Sequence, residues 1–512
     1  MSIPLAVSPS TLVPGLYLKV DLLAGAASPG IGQLKVALLA SKSSAGDLTD
    51  DTEVRAGAGE ESAKIAFGPG TVGHLAAKQI YSQHPMAMVD FISPVPGSGT
   101  ATMVITLDGD PVSNNVIDVD IMGRTWEVSW LVGESAADVA TKVIDSILQR
   151  TNHLACTAVS GGGGIATINS KVDGHVGNDI NVFMKLRGGA TGTETINAST
   201  SVDANLASGA TDPDFTNALA SIAGEEYHYI LPCLSNADVK NVVSANNLSR
   251  IVTHIGNNNE GLDAKLQMFV AGFTGTSAEA VATTPHANSA GNKEYGEVIC
   301  CVAGRGLPGE IGGREVGGRL AAISLDPAAN RIGEKLDGYV GARDKIAKKP
   351  TAAELQTALS NGVSMASYTA QGLEMLVRAV TTHSQDDAGG PDTRLLDTQN
   401  VDAAYIIARD LRSALWMEFQ GAKISKDIPP GEEPPPAGVI EERDIKSFVI
   451  SRLRYWQQQG VADGPSLDEA ITGGTLIVQV NESDATQVDC VIPFKVIQPL
   501  AKMGVVAQRM PS

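Results

Sequence analysis

Residues Gly304-Arg305-Gly306-Leu307-Pro308-Gly309 match the spacing G-x-G-x-x-G. In a dinucleotide fold such a turn follows a strand and aims the N–H groups of a helix start at pyrophosphate. Here it follows the apolar run Val298–Val302, and Asp326 lies downstream at a suitable distance for a ribose contact. Two features argue against a cofactor. Pro308 removes a donor where the helix should begin, and Gly312-Gly313 weakens the first turn. No second mononucleotide half follows. The expectation is a glycine-rich loop and no cofactor.

Other candidates resolve in the same direction. Gly161-Gly162-Gly163-Gly164 is not followed by Lys-Ser or Lys-Thr, so it reads as a hairpin turn between Ala155–Val159 and Ile165–Asn169. Gly362-Val363-Ser364-Met365-Ala366 misses the nucleophile elbow, whose last position is Gly. The histidines are His74, His84, His153, His175, His228, His254, His286 and His383, and no H-E-x-x-H occurs. The acidic pairs Asp386-Asp387, Glu432-Glu433 and Glu225-Glu226 read as solvated surface. Cys156, Cys233, Cys300, Cys301 and Cys490 show no zinc spacing. They read as buried apolar thiols; the sharper alternative is disulfides between subunits in an oxidising medium. No catalytic set, metal site or enzyme activity is expected.

A net charge of −19 over 512 residues disfavours nucleic acid, which needs clustered Lys and Arg. No run of apolar residues approaches the roughly 20 needed to span a bilayer. Met1–Leu16 lacks a basic region followed by an apolar one, so synthesis and folding in a cytoplasm are expected. Aromatics are 4% and glycines number 54, which favours turns, hairpins and cores of Ala, Val, Ile and Leu.

Four prolines break residues 1–30, and Gly15–Leu22 alternates enough for a strand. Such a strand must pair with its own domain or another subunit. Leu34–Ala40, a helix at Val72–His84 and Met88–Ile92 read as β-loop-α-β in a parallel sheet. Ser93–Gly99 marks a boundary. Beyond it come strands at Ala101–Leu107, Val116–Met122 and Thr125–Val132. A helix capped by Ser135 and Asp138 follows, with Val139, Val143, Ile144, Ile147 and Leu148 on one face. Residues 206–345 return to α/β style. They carry a helix at Asp214–Ile222, strands at Tyr227–Pro232, Leu266–Ala271 and Val298–Val302, and one long helix over Ala237–Ile255. Stripes at Val401, Tyr405, Ala408, Leu411 and Leu415, and at Ile445, Phe448, Val449, Leu453 and Trp456, predict two helices. Gly460 closes the second. Ile428–Pro436 reads as a stiff exposed linker. Leu476–Val480 and Val488–Val496 predict a closing hairpin.

The expected fold class is α/β (α+β overall). A discontinuous α/β core (31–96 and 206–345) would carry a β-rich inserted domain (97–205). A C-terminal domain (346–512), helical and then β, would end in the hairpin, and extended arms would lie at the termini.

Several segments, in order, resemble contractile phage tail sheath proteins of the Mu-like type. They are Val13-Pro14-Gly15-Leu16-Tyr17, Ala66–Ala76, Tyr227–Pro232, and Asn361-Gly362-Val363 followed by Gly372–Thr382, whose Val377-Arg378-Ala379-Val380-Thr381-Thr382 is similar to a sheath segment. The resemblance covers about two-thirds of the chain and rests on order and spacing. It implies hexameric rings stacked around a tail tube, contraction that drives the tube through a host envelope, and a place in the virion tail. The implied partners are other copies, the tail tube protein, and baseplate and tail terminator proteins, without nucleic acid or membrane insertion. It also implies strand exchange between subunits through Pro14, Gly15, Leu16, Tyr17, Leu18, Val20 and Leu22 at one end. At the other it would use Leu476, Val478, Val480, Val488, Val491, Phe494 and Val496. The alternatives are a tailocin or type VI-like sheath subunit, another tail or decoration protein with carbohydrate-binding modules at 97–205, and a secreted hydrolase.

Overall fold

The computed structural model describes residues 34–240, 246–259, 264–283, 296–336, 338, 340–384, 390, 395–429, 435–436, 438–484 and 486–498. The expected N-terminal arm and the residues beyond 498 lie outside this set.

The chain enters through β1 (Lys35–Leu39), then β2 (Arg55–Ala56), α1 (Glu60–Phe67), α2 (Val72–Gln83) and β3 (Met88–Ile92). β1 and β3 run parallel in register Lys35 to Met88, the β-loop-α-β unit expected. Thr71 caps α2, its hydroxyl accepting from the His74 amide at 3.4 Å.

Next come β4 (Thr102–Asp108), β5 (Asn115–Ile121), β6 (Arg124–Trp130), α3 (Ala136–Leu148), β7 (Cys156–Gly162), β8 (Ile165–Ser170), β9 (Asn181–Leu186), β10 (Thr195–Ile196) and β11 (Ser201–Asn205). They build two antiparallel four-stranded sheets, β10-β4-β8-β7 and β11-β9-β5-β6. Ser135 and Asp138 form the expected capping box. Val139, Val143, Ile144 and Ile147 are buried, whereas Leu148, the last residue of α3, is exposed at the margin of the stripe. The four glycines turn β7 into β8, and positive φ at Gly162, Gly163 and Gly164 explains their type.

The chain then returns with α4 (Thr216–Ser221), β12 (Tyr229–Pro232), α5 (Asn236–Lys240), α6 (Asn247–Asn259), β13 (Met268–Phe273), α7 (Ser277–Thr283), β14 (Gly296–Cys300) and α8 (Pro308–Leu325). The long helix expected over 237–255 is instead the separate segments α5 and α6. Then come α9 (Ala352–Ser360), β15 (Val363–Tyr368) and β16 (Glu374–Arg378). One eight-stranded sheet results, ordered β16-β15-β14-β13-β12-β1-β3-β2. Its centre is parallel, and its outer pairs β2/β3 and β15/β16 are antiparallel. The sheet therefore runs past the boundary expected at 345/346. Val363–Tyr368 is wholly buried, so its small and polar residues carry no alternation to mark a strand.

The remainder comprises α10 (Thr398–Phe419), β17 (Lys423–Ser425), β18 (Val439–Glu441), α11 (Glu442–Gln458), α12 (Gly464–Thr472), β19 (Ile477–Val480) and β20 (Val488–Val491). The five stripe residues of α10 are buried. On α11, Ile445, Val449, Leu453 and Trp456 are buried, and Phe448 packs edge-on to Phe419. Gly460, with φ of 76°, follows the α11 cap as expected.

Candidate functional site

The glycine-rich loop lies between β14 and α8, as its motif requires, but the helix start is already filled. Glu310, third residue of α8, accepts from the Leu307 amide at 3.1 Å. Its carboxylate is held by Arg124, with one contact at 3.2 Å. A pyrophosphate would meet this buried anion at the positive helix end. The glycines serve packing instead. A Cβ on Gly313 would stand 2.5 Å from the Ala76 carbonyl oxygen of α2, and one on Gly317 2.9 Å from that of Ile80. Gly309, Gly313 and Gly317 recur every four residues, a signal of close helix contact that the motif obscured.

The other candidates are structural. Ser364 is buried within β15, where its hydroxyl lies 2.5 Å from Glu297 and accepts from the Val380 amide at 2.7 Å. Glu225 pairs with Lys35 at 3.5 Å, and Glu226 joins Arg409 at 2.8 Å and Arg412 at 2.6 Å. Glu226 thus anchors α10, while Glu225 lies on the surface beside β1. Buried His74 accepts from the Gly70 amide at 2.9 Å, and His175 meets Asp212 at 2.8 Å. His286, Asp386, Asp387, Glu432 and Glu433 lie outside the described residues. Among the described residues, no group of three or more His, Cys, Asp or Glu could hold a metal.

Cys156, Cys233, Cys300 and Cys301 are buried and unbridged, and Cys490 is half-buried and unbridged. Burial pushes the Cys156 and Cys490 thiols up to about 12, and those of Cys233 and Cys300 upward too. The reactive thiolate is correspondingly rare.

The densest polar cluster is one that sequence reasoning missed. Asp402 of α10 accepts from Arg319 of α8 at 2.7 and 3.0 Å, from the Tyr229 hydroxyl at 2.7 Å and from His228 Nε2 at 3.2 Å. Arg319 also reaches Glu297 of β14 at 3.0 Å and lies 4.7 Å over the Tyr229 ring. Arg409 donates to His228 Nδ1 at 2.9 Å and to the carbonyls of Tyr227, Lys265 and Leu266 at 2.7–3.0 Å. Nδ1 is thus the acceptor and Nε2 carries the proton. Every carboxylate and cation in this core is matched, as burial demands. Burial disfavours ionised Asp402, but Arg319 and His228 outweigh it and hold its pKa at about 2. Burial, assisted by Arg409, pushes His228 down to about 4. Burial and Glu315 push Glu297 up. The cluster fastens α10 across the sheet; Asp402, Arg319, Glu297, His228 and Tyr229 are buried, and Arg409 is half-buried. Only Tyr227-His228-Tyr229 was visible beforehand, as part of a strand.

The closing hairpin is present. β19 pairs antiparallel with β20 in register Ile477 to Val491. Leu476, Val478, Val480, Phe494 and Val496 are buried within this chain; Val488 and Val491 are half-buried. Past β20, Val461–Asp463 holds the chain, the Ile497 amide donating to Val461 at 2.9 Å and the Asp463 amide to Lys495 at 2.9 Å. Among the described residues this sheet has two strands. Pro14, Gly15, Leu16, Tyr17, Leu18, Val20 and Leu22 lie outside them.

The fold is mixed, α/β overall. A sheath tail protein from Desulfitobacterium hafniense aligns with a TM-score of 0.46 and 13% identity, covering 95% of this chain and 100% of that one. One from Listeria innocua aligns at 0.43 and 14%, covering 88% and 90%. A chain of the anti-feeding prophage baseplate gives 0.43 and 12%, covering 98% and 100%. No protein-family model matches the chain. In sequence it is similar, more particularly, to the Mu-like prophage FluMu tail sheath protein of Haemophilus influenzae (strain ATCC 51907 / DSM 11121 / KW20 / Rd). The two are 24% identical over 255 residues, 49% of this chain and 51% of the relative. The chain thus matches about half the length of that relative, and the Mu-like sheath resemblance stands.

Proposed function

We propose that this protein is a structural, non-enzymatic subunit of a contractile tail sheath. Copies form hexameric rings that stack around a tail tube, and contraction drives the tube through a host envelope. The observation that carries this reading is the 255-residue similarity to a Mu-like prophage tail sheath protein. The hairpin β19–β20 supports it: among the described residues it is a sheet of two strands, and a third strand stabilises such a hairpin. Residues 14–22 of a neighbouring copy supply that strand. The partners are other copies, the tube protein, and baseplate and terminator proteins, with assembly in the host cytoplasm. The discontinuous core at 31–96 and 206–345, the insertion at 97–205 and the C-terminal domain at 346–512 remain the working division, with the large sheet shared across its last boundary.

The test is a deletion of residues 1–25. The truncated chain should fold, shown by an unchanged far-ultraviolet spectrum and thermal transition, yet remain monomeric in light scattering where the full chain polymerises. Undiminished polymerisation of the truncation would overturn strand exchange.

A further inference from the structure

The glycine-rich loop has a role that neither cofactor binding nor helix packing accounts for. The turn joining β5 to β6, Met122-Gly123, runs into the region around it. Met122 is buried there with φ of 53°. Gly123 has φ of 73°, and Val340 stands where a side chain on Gly123 would go. Val340 in turn accepts at its carbonyl from the loop amides of Arg305, at 3.1 Å, and Gly306, at 3.5 Å.

Charges close the joint from both sides. Arg124, just past the turn, reaches Glu310 at the start of α8. In the reverse sense, Arg305 of the loop pairs with Asp120 of β5. Arg305 Nε also donates to the Gly341 carbonyl at 3.0 Å, tying loop and support together. Arg343 adds a third arm. It lies 3.9 Å over the Phe183 ring, 3.5 Å from Asp120, 2.5 Å from Asp203 and 3.1 Å from the Asn181 side-chain oxygen. Asp120 and Glu310 are each only 4% exposed, so withdrawal of Arg305 or Arg124 deprives a buried carboxylate of its nearest cation.

We propose that loop 304–309 and segment 340–343 form a socket that receives the β5–β6 turn and fixes the 102–205 β-module on the eight-stranded sheet. Module and sheet then move as one rigid body when copies rearrange. The crossed pairs set orientation, because Arg124 and Arg305 each point into the other's half.

The test measures the distance between spin labels at Val159→Cys on the module and Leu325→Cys at the end of α8, in the full chain diluted with unlabelled protein. Both positions are exposed; Cys156, Cys233, Cys300 and Cys301 are buried, and the half-buried Cys490 is replaced by Ser in every labelled chain. A single narrow distance distribution is expected for the otherwise unaltered chain. Arg305→Gln should broaden it with the thermal transition of the large sheet retained. Adding Asp120→Asn, which removes the buried charge left short of its nearest cation, should narrow it again. An unchanged distribution in Arg305→Gln would overturn the socket. If Arg305→Gln fails to fold, the double variant decides: a narrow distribution supports the socket and a broad one overturns it.

Discussion

At the residue scale, the Asp402 cluster governs how the fold responds to substitution and to pH. Asp402→Asn leaves Arg319 buried with less than its due of negative charge. The expected loss is about 3–5 kcal/mol, as for other broken buried pairs, read as a lowered denaturant midpoint. His228 sets an acid limit. A second proton would sit on Nδ1, facing the Arg409 guanidinium. Its folded pKa of about 4 lies below the unfolded value of about 6.5. The unfolded chain therefore binds more protons between those values. The stability it contributes is fully present above pH 6.5 and falls away as the pH drops toward 4. The shift corresponds to something on the order of 3 kcal/mol. His74 and His254 are also depressed to about 4 and act in the same sense; Asp238 and Asp410, raised to about 6, act in the opposite one. The slopes must therefore be compared. His228→Gln should be less stable at pH 7 and lose less stability than the parent between pH 6.5 and 4. Equal slopes in urea titrations would contradict this. At the same scale, the raised thiol pKa values and burial predict one monomer band on gels with and without reductant. A reductant-sensitive ladder that Cys490→Ser abolishes would instead establish an inter-subunit bridge through Cys490.

At the scale of elements, α8 is the piece whose sequence misled. Its glycines suggest a phosphate turn and a weak helix start, yet Gly309, Gly313 and Gly317 face α2 at a distance that leaves no room for a methyl group, and Gly312 lies as closely on the sheet. Gly313→Ala must displace the Ala76 backbone. It should cost about 1–3 kcal/mol despite the better helix propensity of alanine, and an unchanged or raised midpoint would refute the close seam. The stripes of α10 and α11, the capping box of α3 and the glycine turn between β7 and β8 were legible, because each is a local pattern of period, cap or φ. The Asp402 cluster was not, since its members come from β12, β14, α8, β15 and α10 and meet only once the sheet has formed. β15 escaped for a related reason. Burial on both faces removes the alternation by which a strand is read, and Ser364 looked like failed chemistry rather than a polar core residue.

At the scale of the whole molecule, the described residues form an eight-stranded sheet, a β-module inserted in sequence between β3 and β12, and a small closing sheet of two strands. The opening β-loop-α-β unit, the three strands and capped helix at the start of the β-module, and the terminal hairpin could be read from the residues. The continuation of the large sheet past 345 and the seating of the module could not, for both depend on pairings between distant segments. We propose above that copies of this chain build a contractile sheath. Electron microscopy of the purified full-length chain at rising concentration tests it most directly. Tubes of uniform diameter built from stacked six-fold rings are expected. Monomers at every concentration, with both termini intact, would contradict it.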